Sequence, residues 1–167
     1  AKIGNIYWSL NQYEKSIFYY QKALSIKRNI GDVRGESGDL YNIGNAYFFL
    51  GNYEKALFHH QQALTILRKI NEVKGEANTL TSIGNAYVRL GQYKKAISNY
   101  QKALSIKRNI GDVGGEGLVL GNIGLVHFYL GQYEKALIYY QQALVIRRKI
   151  GDVRGESGDL YNIGNAY

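Results

Sequence analysis

The chain has no cysteine and no proline among its 167 residues. The first absence excludes disulfides and every cysteine-ligated metal site. The second removes the commonest cause of a kinked helix. Long apolar runs are missing as well. No stretch approaches the roughly 18 consecutive apolar residues that a membrane span needs, and no signal-peptide pattern opens the chain. A soluble, cytoplasmic protein with no membrane partner is the expectation. Acidic residues are outnumbered, giving a net charge of +8, while a hydrophobic content of 46% argues for a folded chain rather than disorder.

What is present is a period of 40 residues. Ile30, Ile70, Ile110 and Ile150 share one column, Gly35, Gly75, Gly115 and Gly155 another, and Tyr13, Tyr53, Tyr93 and Tyr133 a third. A fixed period of this length implies a stacked solenoid rather than one enclosed core. Residues 30–47 and 150–167 are the same string, and 20–33 match 100–113, as expected of recent duplication or of a consensus design. The columns divide the chain into a partial repeat over 1–30, full repeats over 31–70, 71–110 and 111–150, and a half repeat over 151–167. The expectation is a single array over 1–167, cut from a longer one.

Within a unit, Leu40, Ile43, Gly44 and Tyr47 recur at spacings of three and four, the signature of one apolar helical face. Tyr53, Ala56, Leu57, His60, Ala63 and Leu64 do the same. These sets predict helix A over about 33–50 and helix B over about 53–70, antiparallel because the turns between them are so short. Gly51 suits a left-handed residue after a helix end, and Asn52 an N-cap. Gly31-Asp32 repeats that logic. At the next junction it weakens to Asn71-Glu72, with glutamate the poorer cap. The basic columns, such as Lys27-Arg28 and Arg147-Arg148-Lys149, fall in the last turn of helix B, where cations complement the helix dipole. Gly114, Gly115, Gly117 and Gly121 crowd one helix start, so residues 113–118 are expected to form the most mobile helix end.

Leu40, Ile43, Gly44, Tyr47, Tyr53, Ala56, His60 (tyrosine in the other units) and Ala63 fall at the spacing of the tetratricopeptide repeat, and the chain resembles that family along its whole length. It departs in two ways. The period is 40 rather than the usual 34, and the proline that ends helix B is absent. The Gly-Asp-x-x-Gly-Glu linker resembles the arrays of Pins-type scaffolds, kinesin light chains and bacterial, notably cyanobacterial, signalling proteins. The resemblance implies an all-α fold, an α-solenoid of antiparallel helix pairs wound into a right-handed superhelix. It also implies a concave groove lined by helix A.

On that carry-over three columns face the groove. Asn5, Asn45 and Asn85 form one, continued by Asn165. Asn42, Ser82 and Asn122 belong to the second. Phe49, Arg89 and Tyr129 make the third, beside Trp8, Phe48, Val88 and Phe128. A carboxamide donates and accepts at once, so a ladder of them suits the backbone of an extended peptide, with aromatic neighbours as anchors. The competing reading is that these asparagines bond between adjacent helices and stiffen the stack. The cations that a carboxylate clamp needs are missing, since Tyr41, Thr81, Gly121, Gly38, Asn78 and Leu118 stand at those places. The arginine that Pins-type arrays place there is missing too.

No catalytic constellation is found, so no enzyme activity, cofactor or metal is expected. His59, His60 and His127 read as packing variants, and Glu36, Glu76, Glu116 and Glu156 as partners of helix dipoles. Gly115-Glu116-Gly117 follows no strand and is no dinucleotide loop. The expected function is a non-catalytic scaffold that binds a protein or peptide. End-to-end self-association, or service as a structural spacer or sensor region, is the alternative. Nucleic-acid binding is disfavoured because the tyrosines recur at core spacing.

Overall fold

The computed structural model describes residues 2–166. These form nine α-helices: α1 (Lys2–Ser9), α2 (Tyr13–Asn29), α3 (Val33–Phe49), α4 (Tyr53–Lys69), α5 (Val73–Arg89), α6 (Tyr93–Asn109), α7 (Val113–Tyr129), α8 (Tyr133–Ile150) and α9 (Val153–Ala166). Odd-numbered helices are the A type and even-numbered the B type, and each packs chiefly on its neighbours in sequence. This is an all-α solenoid of helix pairs. Successive A helices also touch one another, α3 with α5, α5 with α7 and α7 with α9. The B helices stand further apart with an A helix between them. A helices therefore line the inner, more tightly curved side, and B helices the outer.

Helix limits agree with the periodic reading to within a residue, and the turns explain why. Gly51 takes φ +77°, and Asn71, at the weaker junction, takes φ +54°. The Asp32 and Asp112 side chains accept from the N–H of Gly35 and Gly115 at 2.8 and 2.9 Å, and Asn52 accepts from Lys55 at 3.2 Å. Glu72 makes no cap of this kind. It pairs instead with Arg34 of the preceding A helix.

The hairpins close on one column of small residues. A Cβ added to Gly4 would lie 2.6 Å from the Tyr20 ring, at Gly44 2.7 Å from His60, and at Gly124 2.8 Å from Tyr140; the approach of Gly84 to Tyr100 is the tightest of the four. The A helices α1, α3, α5 and α7 therefore need glycine because the facing B helix drives a ring into the backbone of each. Ala56, Ala63, Ala96, Ala103, Ala136 and Ala143 are fully buried where B helices meet their A neighbours, and Leu40, Ile43, Leu80, Ile83, Leu120 and Ile123 fill the layers between.

The cations at the B-helix ends do more than complement dipoles. Arg28, Arg68, Arg108 and Arg148 bind Glu36, Glu76, Glu116 and Glu156 at 2.7–2.8 Å. Lys27 pairs with Asp32, and Lys107 holds both Asp112 and Asn78 at 2.9 Å. That edge is thus close to neutral. The opposite, A-to-B turn edge carries Lys15, Lys55, Lys94, Lys95 and Lys135 against Glu14, Glu54 and Glu134, and the rest of the positive excess is spread over the helices.

Candidate functional site

On the inner side, residues of α3, α5, α6 and α7 enclose an open cavity of about 320 Å³. Asn85 and Arg89 come from α5, Asn122 and Tyr129 from α7, and all four were candidates from the sequence. Phe48, Val88 and Leu125 add apolar wall, with Tyr93 and Tyr100 beneath. The A-helix spacing that stacks Ile83 on Ile123 in the core turns Asn85, Arg89, Asn122 and Tyr129 to the other side.

The polar floor is ordered by one phenol. Tyr100 is 1% exposed, and its hydroxyl donates to Asn85 Oδ1 at 2.6 Å. Burial raises its pKa far above the ordinary tyrosine value, so it stays a donor at any working pH. Asn122 Nδ2 approaches the same Oδ1 at 3.4 Å. Saturating that oxygen leaves the Asn85 amide N–H groups and the Asn122 carbonyl as the free functions of the pair. A donor and an acceptor side by side are the complement of one peptide unit. Tyr20 repeats the device one end away, donating to Asn5 at 2.7 Å.

Arg89 is held from below. Its Nε donates to Tyr53 Oη at 3.0 Å and its guanidinium lies over the Tyr53 ring at 5.4 Å. Phe49 belongs to a separate aromatic cluster further along the same side. It stacks on Tyr13 at 5.4 Å and meets Trp8 edge-on at 5.2 Å. Phe48 continues that cluster to Tyr53 and also reaches the cavity, so it joins the two regions.

The remaining candidates are not brought into this cavity. Ser82 donates to Tyr41 Oη at 3.3 Å, and Asn5 sits on Tyr20. Asn42 and Asn45 are half-buried on α3. Below Asn45 the B helix carries His60 in place of tyrosine, and among the described residues no phenol reaches that carboxamide. His60 is fully buried with neither ring nitrogen hydrogen-bonded; burial, with His59 beside it, pulls its pKa down to about 4. Sequence reasoning missed Tyr20 and Tyr100 as parts of the site, because their column reads as core. The signal was present: an asparagine column and a tyrosine column 15 residues apart in the same hairpin. Among the described residues no three His, Cys, Asp or Glu side chains gather as a metal site, and no helix is long and apolar enough to cross a membrane.

Family models described as tetratricopeptide repeat match residues 36–109, 75–149 and 1–30. The chain belongs to the tetratricopeptide repeat family. The family resemblance is therefore borne out, with its all-α repeat fold. No curated protein matches the sequence. Among solved structures, this tetratricopeptide array is similar to a signal transduction ATPase with numerous domains and a tetratricopeptide repeat sensor from Pyrococcus horikoshii. That match has 25% identity and TM-score 0.90, covering 99% of this chain and 26% of that one. It is similar to a Rap protein complexed with Competence and Sporulation Factor, at 21% identity and TM-score 0.83, covering 99% of this chain and 49% of that one. It is also similar to the nearly identical repeats of a putative kinesin light chain from Podosopora anserina, at 14% identity and TM-score 0.82, covering 99% and 82%. The array thus spans less than half of two of these three proteins. The tetratricopeptide fold is a protein-interaction scaffold and is generally not catalytic.

Proposed function

We propose that this array binds an extended peptide segment of a protein partner along its inner side, gripping it at the cavity between α5 and α7. The observation that carries this reading is the Tyr100–Asn85–Asn122 arrangement. It leaves one amide donor and one carbonyl acceptor free beside an apolar wall and a fixed cation. An extended backbone would bond the two carboxamides, while one side chain of the ligand enters the space among Phe48, Val88, Leu125 and Tyr129. The aromatic cluster around Phe49 would carry a second apolar anchor. A Rap protein of the same fold is complexed with Competence and Sporulation Factor, which supports a binding role for arrays of this shape without naming the ligand here.

The bonds from Tyr20 to Asn5 and from Tyr100 to Asn85 favour a second role for the same asparagines, in tying the hairpins together. The two roles are compatible, because each phenol occupies only the carbonyl side of its carboxamide.

The test is a selection of short, helix-incompatible peptides (proline at every fourth position) displayed against the whole chain. Selected binders should lose at least tenfold in affinity on Asn85→Ala plus Asn122→Ala, with the helical circular dichroism unchanged. Binders indifferent to both substitutions would place the interaction elsewhere and defeat the reading.

A further inference from the structure

On the outer side the B helices leave two open cavities, one of about 420 Å³ between α2 and α4, the other of about 760 Å³ between α6 and α8. Their linings correspond place by place, 80 residues apart. Gln21, Leu24, Ser25 and Arg28 in the first recur as Gln101, Leu104, Ser105 and Arg108 in the second. The A helix beneath supplies the floor, Leu40 in one and Leu120 in the other. On the far wall Phe58, His59 and Gln62 are replaced by Ile138, Tyr139 and Gln142, preserving an apolar group, a ring and an amide. At the junction between α4 and α6 the same three places hold Ser98, Asn99 and Lys102. The apolar wall is therefore built at alternate junctions, although the helices repeat at every one.

Neither lining contains a carboxylate. Each contains an arginine whose Nε is anchored to a glutamate of the next A helix, Arg28 to Glu36 at 2.8 Å and Arg108 to Glu116 at 2.7 Å. The side chains are nonetheless half exposed, so each presents a positioned guanidinium at a groove with an apolar floor. Lys135 adds a second cation to the larger cavity.

We propose that the two outer grooves are matched docking sites for an acidic amphipathic helix, and that a partner carrying two such helices occupies both at once. The walls are B helices that run in the same direction, and the linings extend over residues 21–29 of α2 and 97–109 of α6, troughs of about 12 and 18 Å at 1.5 Å per residue. That shape suits an α-helix laid with its apolar stripe on Leu24 or Leu104 and its flank toward the arginine. Charge decides the occupant. A second copy of this chain would bring the same net charge of +8 and the same arginines to the groove, which like charges disfavour. Nucleic acid would need open ring faces, yet His59 and Tyr139 already stack on Tyr47 and His127 at 5.5 and 5.3 Å. Because the two sites share one chain, joining two ligand helices raises their effective concentration without any new contact. None of these residues belongs to the inner cavity, so the two readings stand or fall separately.

The experiment is a second selection on the whole chain, from a library of displayed 18-residue peptides of helical propensity. Binders are then compared on two variants, Phe58→Asp with Ile138→Asp and Asn85→Ala with Arg89→Ala. Phe58 and Ile138 are more than half exposed, so the first variant keeps its fold, as circular dichroism would verify. The expected class is rich in Glu and Asp with apolar residues three and four apart. It loses at least tenfold on the first variant and keeps its affinity on the second. It titrates at two per chain, gains more than tenfold when two copies are joined by a flexible linker, and is not displaced by single-stranded DNA. A stoichiometry of one, basic binders, displacement by DNA, sensitivity only to the inner variant, or no binders at all would each overturn the proposal.

Discussion

The buried phenol of Tyr100 donates to Asn85 at 2.6 Å, and that one bond decides which end of the carboxamide faces the groove. Tyr100→Phe keeps the ring against Gly84 and removes only the proton donor. Loss of a neutral hydrogen bond of this kind costs about 0.5–1.5 kcal/mol, read as a lower denaturation midpoint with an unchanged slope. Peptide affinity in the groove should fall as well, because Asn85 becomes free to turn. An affinity untouched by Tyr100→Phe would mean that the carboxamide is held by something else.

His60 should make the array acid-sensitive. In the folded chain its pKa is pulled down to about 4 by burial first and by His59 second, against about 6.5 for an unperturbed histidine. The folded-state value is the lower one, so the unfolded chain takes up the proton first as pH falls. Stability is full above pH about 6.5, declines between 6.5 and 4, and levels off below, by roughly 3 kcal/mol for this group alone. His60→Tyr should abolish that part of the decline, and it restores the phenol that Asn45 lacks. Parallel pH–stability curves for the two proteins would show that His60 is not the sensor.

Two glycines of one helix type should respond oppositely to alanine. At Gly84 the new Cβ collides with the Tyr100 ring, and forcing the hairpin open costs about 1–3 kcal/mol. At Gly38, also inside an A helix, nothing lies within 4 Å of the new Cβ, so the substitution should gain about 0.5–1 kcal/mol of helix propensity. Thermal melts of the two single variants are enough, and shifts of the same sign would contradict the packing described for this column.

The caps differ in the same testable way. Asp112→Ala removes both the bond to Gly115 and the partner of Lys107, and should cost at least the ~1 kcal/mol typical of an N-cap. Glu72→Ala removes no cap, only an ion pair with an exposed arginine, and should change stability by less than about 1 kcal/mol. Equal losses would show that the cap bond carries little.

Four glycines between 114 and 121 weaken the start of α7 against its counterparts. Amide exchange over residues 113–118 should exceed that over 33–38, and equal rates would refute it. The caps of Asp32 and Asp112 are equivalent, so the contrast lies in Gly114 and Gly117 standing where α3 has Arg34 and Ser37.

The turns, the helix limits and the buried face of each helix were legible because each depends on residues close together in sequence. Gly51-Asn52 specifies a stop and a start by local conformation alone, and the Leu40, Ile43, Gly44 stripe needs only a period. The inner cavity was half legible. Periodicity tells which residues share a face, and so it selected Asn85, Arg89, Asn122 and Tyr129. It cannot tell how far a side chain reaches through a neighbouring helix, so Tyr100 looked like core and its hydroxyl was overlooked. One wall of each outer groove lies in the identical strings 20–33 and 100–113, while the facing walls, Phe58, His59 and Gln62 in one and Ile138, Tyr139 and Gln142 in the other, lie outside them. Their meaning depends on which B helices face one another across a gap, and that is a property of the stack.

The identical strings 30–47 and 150–167 carry a consequence for how the chain finds its register. Segments α3 and α9 begin with the same residues, so hydrophobic pattern, caps and helix propensity cannot distinguish their places in the stack. What differs is the cation that meets the buried aspartate. Arg147 reaches Asp159 Oδ2 at 2.7 Å and also binds Asp152, whereas Lys27 is engaged by Asp32 and leaves Asp39 Oδ2 without a partner. A segment placed in the wrong slot would exchange this ionic bond, and α3 would also lose its packing on α4, for which α9 has no counterpart among the described residues. Within the repeated string itself, threading is therefore specified by a polar contact and by the flanking helices, and exchange of equivalent helices between molecules is the error that identical strings leave open.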